Sequence, residues 1–215
     1  MSAILTPLER KQIRQTLANA KEADCVVLVG SVARGTRIAD AGDLDILVLN
    51  GADSQVLMPG VQITSLSVES LIDRVLSGDD FTQWALRFGV TIHGRSVWNE
   101  LKAQLLTQAP WPIAEIKKGH AVKRLTRARE LLEMNDLQAA REELGYAGNH
   151  IARAMLLQSH VFPLSRPELP DQLREVQQGG FADLLERLQS DDDVDASQVL
   201  LELTELIEWV PRLSP

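Results

Sequence analysis

The 215-residue chain has one cysteine, one tyrosine and only 4% aromatic residues. No apolar run approaches the ~20 residues that a bilayer requires, so no membrane partner is expected. Cys25 alone makes no internal disulfide and lies in a strand-like run, which points to a reducing, cytoplasmic setting. The start, Met1-Ser2-Ala3-Ile4-Leu5, is too short for a secretory leader. There is no internal repeat and no low-complexity tract. Positive charge is also in deficit, with 22 basic against 30 acidic side chains and a net charge of −8. Such a balance disfavours general nucleic-acid binding, which needs a basic field to neutralise phosphates. The deficit is uneven: residues 1–108 carry 10 basic and 12 acidic groups, residues 109–160 carry 8 and 6, and residues 161–215 carry 4 and 12. The mildly basic middle suits a compact polyanion such as a nucleoside triphosphate.

Hydrophobic residues make up 45% of the chain and charged ones 24%, as in an ordinary globular protein with room for two small domains. Thr6-Pro7-Leu8-Glu9 combines an N-cap threonine, a first-turn proline and a capping-box glutamate, predicting a helix to about residue 20. Cys25–Val29 and Asp45–Leu49 read as buried strands, and Val61–Leu66 alternates as a half-buried one. Helices are expected over Val68–Leu76 and Asp80–Phe88, then a short Val90–His93 segment. Beyond it, residues 95–108, 113–134, 136–161, 167–177, 180–189 and 196–209 all show helical apolar spacing. Strands are thus confined to the first half. The class is α+β, with a sheet domain over 1–108 and an all-α bundle over 109–215, separated near the prolines of Gln108-Ala-Pro-Trp-Pro112.

One constellation carries chemistry. The first strand runs into Gly30-Ser31, followed by Ala33-Arg34-Gly35, and Gly42-Asp43-Leu44-Asp45 opens the next strand. Side chains two apart on a strand share a face, so Asp43 and Asp45 are expected to converge. Asp43 also reads as a turn residue after Gly42. Asp45 is harder to explain structurally, because a carboxylate among Ile46, Leu47 and Val48 is costly unless something cationic pairs with it. Two acids on one face are hard oxygen ligands of the kind Mg²⁺ takes, together with substrate phosphates. Gly30 permits close backbone approach to a ligand, and Ser31 adds a hydroxyl donor; alone, Gly-Ser is simply a turn.

Gly30-Ser31, Ala33-Arg34-Gly35 and Asp43-x-Asp45 resemble the signature of nucleotidyltransferases of the DNA polymerase beta superfamily, especially the bacterial minimal nucleotidyltransferases. The resemblance spans residues 22–97. It implies a small mixed-sheet nucleotidyltransferase domain in which Gly30 and Ser31 hold a triphosphate and Asp43 and Asp45 hold Mg²⁺ or Mn²⁺. An acceptor hydroxyl, on a small molecule, a protein or an RNA, would then take the nucleoside monophosphate. The helical half resembles more weakly the HEPN-type and kanamycin-nucleotidyltransferase-type bundles. Arg34 of the signature is a candidate phosphate contact, and the bundle resemblance adds Lys117, Lys118, Lys123 and Arg124, whose plainer reading is a solvated helix face. Bundles of this type often pair, and the apolar helix at 199–209 would serve as a homodimer interface or complete the bundle.

Active members of that superfamily commonly carry a third carboxylate on a later strand. The matching strand here offers Gln62 and Thr64, with Glu69, Asp79 and Asp80 as nearby substitutes. A non-catalytic nucleotide-binding or antitoxin-like module is therefore the alternative. A third reading is a ribonuclease, since Arg153 and His160, about two helical turns apart, resemble the Arg–His pair of HEPN ribonucleases. His93, His120 and His150 show no metal-ligand spacing. Asp191-Asp192-Asp193 reads as a solvated loop capping the last helix, and the tryptophans at 84, 98, 111 and 209 as packing anchors.

Overall fold

The computed structural model describes residues 5–20, 22–36, 44–51, 59–190 and 194–209. Two compact units divide the chain, Met1–Pro112 and Ile113–Pro215. The first holds all four strands among the described residues and the second is wholly helical there, so the fold is mixed α/β in composition, a small mixed sheet followed by helices.

The first unit opens with α1 (Pro7–Asn19), started by the expected capping box. The Glu9 amide donates to the Thr6 hydroxyl at 3.2 Å, while the Glu9 carboxylate accepts from the Thr6 amide at 2.6 Å. Next comes β1 (Cys25–Val29), followed at once by the five-residue turn of helix α2 (Gly30–Arg34), then β2 (Leu44–Leu49) and β3 (Val61–Leu66). Helices α3 (Val68–Leu76) and α4 (Asp80–Phe88) lead to β4 (Val90–His93) and α5 (Arg95–Leu105). The sheet order is β3-β2-β1-β4, with β1 antiparallel to both neighbours and β2 parallel to β3.

Continuous apolar runs mark the two central strands because both of their faces are covered: every residue of β1 is buried, and every residue of β2 except Asp45. The alternating β3 lies at an edge and is only partly covered. Ser67 and Asp79 cap α3 and α4, accepting from the amides of Ser70 and Thr82 at 3.0 and 2.8 Å. Asn50, in a left-handed conformation after β2, donates its side-chain amide to Asp24 at 2.7 Å and accepts from the Val68 amide at 3.0 Å. This joint fastens the start of β1, the end of β2 and the start of α3.

In the second unit α6 (Ala114–Glu133) and α7 (Leu137–Gln158) form a long helical hairpin, with Asp136 capping α7 through the Ala139 amide. Small residues, Ala140, Ala147, Gly148, Ala152 and Ala154, are buried along α7 and allow close helix approach. At Gly148 an added Cβ would come within 3.2 Å of Leu185 and 3.3 Å of Leu188. A single 3₁₀ turn, Arg166–Glu168, precedes α8 (Leu169–Glu175), then α9 (Gly179–Gln189) and α10 (Ala196–Trp209). Arg174 ties α8 to α9 by donating to Asp183 at 2.8 Å and to both oxygens of Glu186 at 2.7 Å. Val199, Leu203 and Ile207 of α10 are buried in the core of this unit, so the last helix completes the bundle. Its cap is Asp195, which accepts from the Ser197 and Gln198 amides; residues 191–193 lie outside the described residues.

Three helices end earlier than periodicity predicts. The one expected over 95–108 stops at Leu105. The one expected to reach 161 stops at Gln158, and His160 takes a left-handed turn with φ 55°. The helix expected over 167–177 is α8 with a 3₁₀ entry.

Gly35 and Gly94 both have φ +71°, yet a Cβ at Gly35 meets nothing within 4 Å, whereas at Gly94 it would collide with the Asp24 carbonyl and lie 2.9 Å from Cys25 Cα. Gly35→Ala should therefore cost only the left-handed backbone term, about 1–2 kcal/mol. Gly94→Ala should cost distinctly more, a ranking that urea denaturation of the two variants would check. Cys25 is buried and donates its thiol to the His93 carbonyl at 3.3 Å. Burial first, then the charge of Asp24, push its pKa up to about 12. The thiol should resist alkylation at pH 8 in the folded protein and react promptly in denaturant. Because the unfolded thiol ionises near about 8.5, its contribution to stability is present below that pH and is lost as pH rises towards 12.

Candidate functional site

The site begins where β1 leaves the sheet. Val29 is extended, Gly30 turns with φ +74°, and the chain winds through α2 to Gly35. The Gly35 amide donates to the Val32 carbonyl at 3.2 Å and the Thr36 amide to the Ser31 carbonyl at 3.1 Å, so the turn closes on itself.

Asp45 stands across from Val29 on β2 and in register with Gln62 on β3. Its half-buried side chain comes over the Gly30 turn: a Cβ at Gly30 would overlap Asp45 Oδ2 and stand 3.3 Å from its Cγ. Glycine is thus required twice, by the backbone angle and by the carboxylate above it. Ser31 follows on the same turn, half-buried. Arg34 is held with its guanidinium carbon 5.0 Å from the centroid of the Phe88 ring, which itself packs on Trp84 at 5.3 Å. This stacking fixes the far end of α2 to the last residue of α4.

Structure therefore brings Gly30 and Asp45 together, with Ser31 next in the chain and Arg34 at the far end of the short helix α2. Asp43 lies outside the described residues. Lys123 belongs to the second unit, exposed on α6. Gln62, register partner of Asp45, occupies the neighbouring position on β3 with an amide in place of an acid. Of the substitutes, Asp79 is committed to capping, accepting from both the amide and the hydroxyl of Thr82. Asp80 is buried in the first turn of α4, and Glu69 is exposed on α3. Among the described residues, no group of three or more His, Cys, Asp and Glu side chains is placed to hold a metal ion.

Of the Arg153 and His160 pair, only Arg153 lies within α7. Arg153 donates to the Leu164 carbonyl at 3.1 Å, and His160 sits beyond the end of α7 in its left-handed turn. Two other histidines do meet. His120 on α6 and His150 on α7 have ring centroids 5.2 Å apart, edge to face. Sequence spacing within one helix does not reveal them; their equal distance from Asn135, at the hairpin turn, does.

No protein-family model matches the chain, and no curated protein matches it. Among solved structures, it is similar to a nucleotidyltransferase-like protein from Exiguobacterium sibiricum, at 18% identity and a TM-score of 0.46, over 93% of this chain and 73% of that one. A likeness at this level identifies neither a family nor the role of any residue. No helix among the described residues is long and apolar enough to cross a membrane.

Gly30→Ala should destabilise the protein beyond the about 1–2 kcal/mol of its backbone angle, because the new methyl displaces the Asp45 carboxylate. In an Asp45→Ala background the excess should shrink, giving a coupling of about 1 kcal/mol in a double-mutant cycle. Additive denaturation energies would show that the two groups do not touch.

Proposed function

We propose that the protein is a nucleotidyltransferase, moving a nucleoside monophosphate from a triphosphate to an acceptor hydroxyl with Mg²⁺ or Mn²⁺. The observation that carries this reading is the Asp45 carboxylate, set in an otherwise buried apolar strand and seated over a glycine turn that any Cβ would fill. A half-buried carboxylate seated over a glycine turn fits a hard divalent cation with phosphate co-ligands. Asp45, and Asp43 by the sequence signature, would hold the cation. Bound there, it would neutralise phosphate charge and polarise the phosphoryl oxygens.

The chain's own groups supply position. Gly30 lets phosphate oxygens come close to the backbone, and the Ser31 hydroxyl donates to them. Arg34, steadied on Phe88, presents fixed positive charge at the end of the same turn. In the reaction the acceptor oxygen bonds to the α-phosphorus as the bond to the β-phosphate oxygen breaks. Pyrophosphate leaves, and the hydroxyl proton passes to solvent or a basic group. Catalysis of this kind is mostly placement and charge stabilisation. The acidic stretch 161–215 would favour a cationic acceptor.

Gln62 supports a second reading. An amide beside Asp45 neither ligates a cation strongly nor accepts a proton at neutral pH. A nucleotide-binding or antitoxin-like module without turnover would be built this way.

With α-labelled ATP or GTP and Mg²⁺ or Mn²⁺, the protein should label an acceptor or itself, and Asp45→Asn should reduce the signal about 10²-fold or more. Labelling that survives Asp45→Asn removes this residue from the mechanism. Calorimetric triphosphate binding that needs the cation, without pyrophosphate release across small-molecule, protein and RNA acceptors, selects the second reading.

A further inference from the structure

The second unit holds a cavity of about 340 Å³ lined by His120, Lys123, Arg124 and Arg127 of α6 and by Glu143 and His150 of α7. Its composition runs against the rest of a chain with net charge −8. Three permanent cations and two imidazoles face a single carboxylate, a net charge of +2 even with both rings neutral. That carboxylate is already engaged: both oxygens of Glu143 accept from Arg124 Nη1 at 3.0 Å. Arg124 is further steadied by the Tyr146 ring, 5.0 Å from its guanidinium carbon. One cation is therefore fixed in place, which lowers the ordering cost of a ligand that uses it.

Among the described residues Arg127 pairs with Glu130, one helical turn away, with both side chains about half exposed. Such a surface pair is weak and yields its arginine readily. Among the described residues Lys123 has no ion pair. The two imidazoles, in edge-to-face contact at 5.2 Å, add one ring from each helix to the lining. Side chains of two helices thus give one cavity an excess of basic groups.

We infer that this cavity of the helical unit is a binding site for a compact polyphosphate group, recognised by His120, His150, Lys123, Arg124 and Arg127 without a metal ion. Two linked phosphoryl groups concentrate several negative charges in a small volume, which matches three cations gathered at one cavity. A carboxylate ligand carries too little charge to compensate the cluster. A nucleic-acid strand needs a basic track rather than a single cavity in an acidic protein. The assignment does not depend on Asp45.

Inorganic pyrophosphate is the probe, titrated calorimetrically into the full chain in EDTA, with sulfate as the competing simple anion. The expected result is one site per chain that sulfate displaces poorly. The double variant His120→Ala/Arg127→Ala, altered at two exposed positions, should weaken it by about tenfold or more, and the size-conserving His120→Gln/Arg127→Gln should do the same. Asp45→Asn should leave it unchanged, and the ring resonances of His120 and His150 should move together on titration. The absence of a site, equal affinity in the double variants, equal competition by sulfate, or loss of binding in Asp45→Asn would each overturn the assignment. The last outcome would move pyrophosphate to the β1–α2 turn and leave the transferase reading standing. Loss of nucleotide labelling with pyrophosphate binding intact would do the reverse.

Discussion

Much of the first unit follows from one close approach, the carboxylate of Asp45 against the backbone of Gly30. An acid in a buried strand is expensive unless its oxygens reach something polar. Asp45 is the second residue of β2, opposite the last residue of β1, so its carboxylate reaches over the Gly30 turn that follows. That placement requires the antiparallel pairing of β1 with β2 in this register. A slip by one residue would point Asp45 into the opposite face and send Leu44 or Ile46, both buried, to the turn. The apolar runs on both strands hold the register, and the register holds the acid.

What could be read from the sequence follows from how local each cause is. Continuous apolar strands, an alternating edge strand, and threonine, serine and aspartate caps are short-range signals, and β1, β2, β3, α1, α3 and α4 carry them plainly. Asp45 stood out because it breaks the pattern of its own strand. Helix α2 has only five residues, too few for a 3.6-residue period to declare itself. The early end of α7 was hidden because His160 adopts a left-handed turn that neither glycine nor asparagine announces.

Contacts across the chain were the least legible. Arg34 finds Phe88 only after α2 and α4 are placed on the sheet. His120 finds His150 only once α6 folds back along α7, and nothing within either helix marks them as partners. The same hairpin brings Arg124 to Glu143, so one packing event assembles both an ion pair and a cavity lined mostly by basic side chains. In a unit of alanine-rich helix contacts, such side chains are carried at the rim, where small residues beneath them let the backbones close.

The joint at Asn50 gives the sheet a particular chemical vulnerability. Its amide serves as donor to Asp24 and acceptor from Val68 at once, a combination available to asparagine and not to aspartate. Gly51, which follows it, has no side chain to hinder attack of its backbone nitrogen on that amide. Hydrolysis at this position would set two anions against each other at the corner joining β1, β2 and α3. The lifetime of the folded first unit is in this way linked to the survival of one carboxamide.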